Sequence, residues 1–148
     1  MADSFVIIFK SYHEEYLYMN LRDKILAYLY QNNGSTVDEI AEALREDKYE
    51  VDATLKYLEK DGYVSKRVKG LIFKKTVYDL TASGLDKAKK IYEELQNKAE
   101  DMKKMILNNQ IDPSQLPEEY MDLLSLFIAL SLIDTILLED LAIFDLQY

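Results

Sequence analysis

Cysteine is absent from the 148 residues, and so is tryptophan. Disulfides, cysteine-held zinc and thiol nucleophiles are thereby excluded, and a reducing, cytoplasmic setting is the expectation. The single histidine, His13, has no second imidazole or thiol to complete a metal site or a His/Cys catalytic pair. Four scattered glycines do not build a phosphate-cradling loop. Long apolar runs are missing too. Phe5 to Phe9 is too short for the core of a secretion signal. The uncharged run Leu123 to Ile133 falls well short of the roughly 20 residues of a membrane span. The acid pairs Glu14-Glu15, Glu93-Glu94 and Glu118-Glu119 sit in charged helical stretches, where solvation or helix-start charge explains them better than acid/base chemistry. The expectation is therefore a protein that is not an enzyme, needs no cofactor and does not enter a membrane.

What is present is apolar residue in quantity (49%) and charge (30%), with only two prolines to break helices. That combination predicts a folded, mainly helical chain. The net charge of −9 is unevenly spread. Asn20 to Thr76 carries 11 bases against 10 acids, whereas Asp101 to Tyr148 carries 2 against 9. A contact surface responds to local charge, because salt screens beyond roughly 8 Å at physiological ionic strength.

The middle of the chain is the most legible. Asn20 caps the helix LRDKILAYLYQNN, with Leu21, Ile25 and Leu29 on one stripe and Asn33-Gly34 as its stop. Thr36 and Glu39 form a capping box for a short helix with Ile40 and Leu44 inward. After the turn Arg45-Glu46, Asp47 opens another helix, about 47–60. Val51, Leu55 and Leu58 line its inner side, and Asp61-Gly62 ends it. Its opposite face carries Lys48, Tyr49, Asp52, Ala53 and Lys56. A hairpin follows: Tyr63 to Val68 reads as one strand, Lys69-Gly70 as the turn, and Leu71 to Leu80 as the return. Within 65–76 lie Lys66, Arg67, Lys69, Lys74 and Lys75, and no acid falls between Asp61 and Asp79. This is the most basic window of the chain.

Thr81 caps a long helix. Along it Leu85, Ala88, Tyr92, Leu95, Ala99, Met102 and Ile106 step by alternating threes and fours, a heptad seam. The seam packs either on the chain's own last helix or on a second chain. Pro113 and Pro117 bracket a break. Tyr120 to Phe144 then reads as a terminal helix, apolar nearly all round, with Leu126, Phe127, Leu130 and Ile133 among its large side chains. A chain this small covers such a run poorly alone, which predicts a homodimer joined through Leu85, Tyr92, Leu95, Met102, Ile106, Leu126, Phe127, Leu130 and Ile133. Residues 1–19 are the least readable; Tyr12, Tyr16 and Tyr18 there form an aromatic arm suited to a partner or to the wall of an effector pocket. No effector is specified. The expected division is 1–19 arm, 20–81 helix-and-hairpin domain and 82–148 dimerisation region.

Ile40, Leu44, Val51, Leu55, Leu58, Gly62, Tyr63-Val64, Tyr78-Asp79-Leu80-Thr81 and Gly84, in that order and spacing, give a segment that resembles the winged helix-turn-helix transcriptional regulators of the MarR and PadR kind. The resemblance covers about residues 20–84. It implies a mainly α fold with a small β-hairpin wing and long C-terminal dimerisation helices, acting as a homodimer on double-stranded DNA. By this resemblance Lys48, Tyr49, Asp52, Ala53 and Lys56 would face bases in the major groove. Lys66, Arg67, Lys69, Lys74 and Lys75 would face phosphates. About eight engaged bases would give log K a slope of roughly −7 against log salt. The helix departs from the usual pattern in having no Arg on this face and a carboxylate, Asp52, that capping does not explain. The alternative reading is a winged helix used for protein contacts in a transcription or chromosome assembly.

Overall fold

Asn20, Thr36 and Asp47 each place a side-chain oxygen at the open end of a helix, and the fold of the first half follows from where those three fall. The Asn20 carbonyl accepts from the Asp23 amide at 2.9 Å. The Thr36 hydroxyl accepts from Glu39 at 3.1 Å. The Asp47 carboxylate accepts from Tyr49 at 2.6 Å and from Glu50 at 3.2 Å. Each satisfies amides with no partner inside the helix. In the computed structural model, which describes residues 19–107 and 118–133, these caps begin α1 (Leu21–Gln31), α2 (Val37–Leu44) and α3 (Lys48–Lys60). The segment 1–18, with its aromatic arm and His13, lies outside the described residues. Strands β1 (Val64–Lys69) and β2 (Lys75–Leu80) pair antiparallel, and α4 (Ala82–Leu107) and α5 (Glu118–Ala129) complete the order.

The helix-turn-helix is closed by Arg45, which takes a left-handed conformation (φ 56°) so that the Glu46 amide reaches the Ala41 carbonyl at 3.0 Å. The three inward stripes then meet. Ile25, Leu26 and Leu29, Ile40, and Val51, Leu55 and Leu58 are all fully buried in one cluster with Val64, Tyr78 and Ala88. Each such aliphatic side chain stabilises the fold by roughly 1.5–3 kcal/mol, far more than any single surface charge pair in this chain.

Two local devices fix the hairpin to this core. Ser35 forms an isolated bridge with Tyr78, through Tyr78 N–H to the Ser35 carbonyl and Gly34 N–H to the Tyr78 carbonyl, both 2.9 Å. At the other end, the Thr81 hydroxyl donates to the Gly62 carbonyl at 2.6 Å and accepts from the Gly84 amide at 3.0 Å, while the Thr81 amide donates to the Tyr63 carbonyl. One residue thus closes the hairpin and caps α4. Gly84 sits so close to Tyr63 that a β-carbon would overlap the Tyr63 carbonyl oxygen.

The chain divides into two compact units between Glu94 and Leu95, further along than the expected boundary at Thr81. The reason is that the start of α4 packs on the winged unit. Ala88 enters its core, Ile91 lies against it, and Tyr92 accepts a hydrogen bond from the Gln31 side chain and meets the Tyr30 ring at 5.0 Å. In the other unit Leu95, Ala99 and Met102 of α4 are buried, as are Leu123, Leu124, Leu126, Phe127, Leu130 and Ile133. The apolar run expected to continue as a helix stops instead at Ala129. Ser131 turns left-handed (φ 58°), and the Leu132 amide closes on the Phe127 carbonyl at 2.8 Å. Residues beyond Ile133 lie outside the described part.

Gly84→Ala should lose stability. The helix gains up to about 1 kcal/mol in propensity, but the clash with Tyr63 costs about 1–3 kcal/mol, and a lower urea midpoint is the expected readout. Burial raises the Tyr78 and Tyr92 hydroxyls above the ordinary 10.0; Asp52 and Glu59 add to the rise at Tyr78, and Gln31 partly offsets it at Tyr92. A phenol whose pKa is raised by folding contributes stability that is complete below its unfolded value and lost as pH climbs through the folded one. Denaturation midpoints followed through pH 10.0 and above should fall, and Tyr92→Phe should fall less steeply.

Candidate nucleic-acid interface

The outward face of α3 and the hairpin flank one shallow groove of about 490 Å³, lined by Val37, Asp52, Lys66, Arg67, Val68, Thr76 and Tyr78. Most charges around it are already paired. On α3, Lys56 meets Asp52 at 3.0 Å, one turn apart. The hydrogen bond and the charge of Asp52 push the Lys56 ammonium above its usual range. This pair accounts for the carboxylate that capping left unexplained, and it leaves the middle of the face with no net charge. Lys48 lies over the Tyr49 ring at 5.4 Å, and Tyr49 and Ala53 are exposed. Tyr57, one turn beyond Ala53, is also exposed and extends that aromatic line. Its position at i+8 from Tyr49 was the available signal in the sequence.

On the hairpin the five bases fall into two groups. Arg67 is held by Asp79, with Nε–Oδ2 at 2.6 Å and a second contact at 3.4 Å. Lys66 stands 4.0 Å from Glu59. Lys69, Lys74 and Lys75 form no ion pair among the described residues. Lys69 and Lys75 also face each other as the last pair of the ladder. Like charges directly opposite across two strands destabilise the pairing, and an anion between them would relieve it.

The hairpin tip differs from the expected turn. Pairing Lys69 with Lys75 leaves residues 70–74 as the loop, so the return strand starts at Lys75 and not at Leu71. Gly70 makes this possible: its φ is +103°, and any β-carbon there would strike the Phe73 carbonyl. The loop therefore holds Leu71, Ile72 and Phe73 in water, at 96%, 83% and 82% exposure. Three consecutive apolar residues fit neither face of an alternating strand, and that was the sign of them in the sequence.

The residues expected at a dimer seam differ in exposure within the single chain. Leu85 is half exposed, Tyr92 packs on Tyr30 and Gln31, and Leu95, Met102, Leu126, Phe127, Leu130 and Ile133 are buried within the single chain. The side chain of Ile106 lies outside the described part. Among the described residues no group of His, Asp or Glu converges as a metal site, and no helix is long and apolar enough to cross a membrane.

These features define a winged helix: a helix-turn-helix with a basic hairpin attached to the end of its second helix. The winged helix DNA-binding domain family matches residues 21–98, and the chain belongs to that family. No curated protein sequence matches significantly. Among solved structures, the chain is similar to the adhesin competence repressor AdcR from Streptococcus pyogenes, at 15% identity and TM-score 0.55, over 94% of this chain and 93% of that one. It is similar to a MepR variant from S. aureus at 22% identity and TM-score 0.51, over 95% and 92%. A further S. aureus MepR variant, bound to an oligodeoxyribonucleotide, aligns at 21% identity and TM-score 0.50, over 93% and 97%. These likenesses establish the fold, and with it the wing expected from the sequence.

Besides Thr81, the Asn33 side chain holds the wing's base: its carbonyl oxygen accepts from the Leu80 amide at 2.7 Å. Asn33→Ala should cost about 1 kcal/mol. Hydrogen exchange at the Leu80 amide should quicken by roughly fivefold, with the amides of α3 little changed.

Proposed function

We propose that the protein is a transcriptional regulator that binds double-stranded DNA as a homodimer, with α3 in the major groove and the wing along the phosphates. The observation that carries this reading is the group Lys69, Lys74 and Lys75, without an ion pair among the described residues and partly opposed to one another at the end of a winged helix's hairpin. The family match supports DNA as the ligand. The MepR variant bound to an oligodeoxyribonucleotide shares the fold. Phosphate affinity rests mainly on these three lysines. Lys66 and Arg67 would have to leave Glu59 and Asp79 first. On α3, Tyr49, Ala53 and Lys48 are the groups available to base edges, and Asp52 holds Lys56 back from phosphate.

The homodimer follows from the reading of the C-terminal helices. Much of the expected seam is covered in the single chain, so the contact is assigned to what stays accessible, with Leu85 half exposed among its described members. A second reading, a winged helix used for protein contacts, is favoured by the exposed Tyr49 and Tyr57 and by the charge-neutral middle of α3.

Binding of full-length protein to random duplex DNA, measured by anisotropy across a salt series, separates the two. Six wing lysines in a dimer give a slope of about −5 in log K against log salt. Lys74→Glu with Lys75→Glu should abolish binding. Asp52→Asn, by releasing Lys56 in each subunit, should tighten it by a few-fold and make the slope steeper by roughly two. Absence of binding even at low salt would leave the protein-contact reading.

A further inference from the structure

Leu71, Ile72 and Phe73 are the most exposed large apolar side chains in the described chain after none but one another, and they stand together at the tip of the wing. Nothing in the fold needs them there. They take no part in the core, and the hairpin register is complete at Lys69 and Lys75 without them. Three bases surround them, Lys69 on one side and Lys74 and Lys75 on the other, with no acid in the hairpin closer than Asp79. The loop is a shaped one, since the left-handed Gly70 tucks under the Phe73 carbonyl and brings the apolar residues to its apex.

An apolar apex inside a ring of cations fits a ligand that is apolar within and anionic at its edges. Stacked base pairs between two phosphate backbones are such a ligand. We propose, resting on the DNA-binding reading above, that Leu71, Ile72 and Phe73 form a wedge that enters the minor groove, separates a base step and bends the duplex. Two strands of a hairpin stand about 4.8 Å apart, and the minor groove is only about 6 Å wide. A hairpin tip with side chains on it enters only if the groove opens. Apolar wedges open it by unstacking one step and kinking the helix toward the major groove. The lysines on either side then meet the phosphates that border the widened groove, where the repulsion between Lys69 and Lys75 is relieved. Pyrimidine–purine steps unstack most readily, so the wedge selects TA-rich sites without hydrogen bonds to bases.

The test uses the full chain and a short duplex rich in TA steps, with 2-aminopurine at one of them and fluorophores at its ends. The parent should bind, raise 2-aminopurine emission and shorten the end-to-end distance. A variant with Leu71→Ser, Ile72→Ser and Phe73→Ser exchanges only exposed groups and should keep the parent's thermal midpoint. It should bind about 10-fold or more weakly, with an unchanged salt slope, and give neither the emission rise nor the bend. If this variant unstacks and bends DNA as the parent does, the wedge is refuted while DNA binding stands. If the parent binds no DNA, the DNA-binding reading itself fails and the wedge falls with it. Co-sedimentation of the parent with phosphatidylserine vesicles, lost in the serine variant and accompanied by no unstacking, would assign the tip to lipid and overturn the proposal.

Discussion

The Thr81 hydroxyl is the point on which the rest of the winged unit turns. By donating to Gly62 and accepting from Gly84 it joins the end of α3, the end of β2 and the start of α4 at one atom. The same neighbourhood brings Gly84 against the Tyr63 carbonyl, so helix and strand approach as closely as backbones allow. Everything outward of this joint inherits its geometry: the register of the hairpin, the place of Lys69 and Lys75 at its far end, and the direction in which the tip points away from the core. A joint made of backbone and one hydroxyl is stiff, since it has few rotamers to lose. That suits a loop whose function depends on where it is held.

The electrostatics of the chain are arranged by cancellation. An overall charge of −9 would repel a polyanion if it were evenly spread. Most of it lies in Asp101 to Tyr148, and on α3 and the wing Asp52 is neutralised by Lys56, Asp79 by Arg67 and Glu59 by Lys66. These are exposed or half-exposed pairs, worth at most about 1 kcal/mol each to stability. Their larger effect is to decide which cations remain uncommitted. On the hairpin these are Lys69, Lys74 and Lys75, which flank the apex of its loop.

Helix starts and inward stripes were readable in the sequence, because each depends on residues three or four apart. Asn20, Thr36, Asp47 and Thr81 are caps by local chemistry, and Val51, Leu55 and Leu58 can share a face only in a helix. The hairpin's extent was not readable in that way. Leu71, Ile72 and Phe73 have high β-propensity, and only the pairing of Lys69 with Lys75, a fact about two separated segments, excludes them from the strand. The Arg67–Asp79 pair was hidden for the same reason: Arg67 stands opposite Val77, and Asp79 is its diagonal neighbour. Asp52 looked out of place because its partner was itself assigned to DNA. In the C-terminal region hydrophobicity announced burial at Leu126, Phe127 and Leu130, but hydrophobicity does not distinguish cover by the same chain from cover by another.

The position of Lys69, Lys74 and Lys75 also governs how the molecule meets proteases. Trypsin cleaves after lysine in extended, accessible loops, and loop tips are where nicking concentrates. Here Lys69 and Lys75 bracket a five-residue loop that contains Lys74 and whose side chains stand in solvent. Among the described residues, the wing tip is therefore a segment open to cleavage. A fragment ending at Lys69 or Lys74 thus reports a tip that nothing covers.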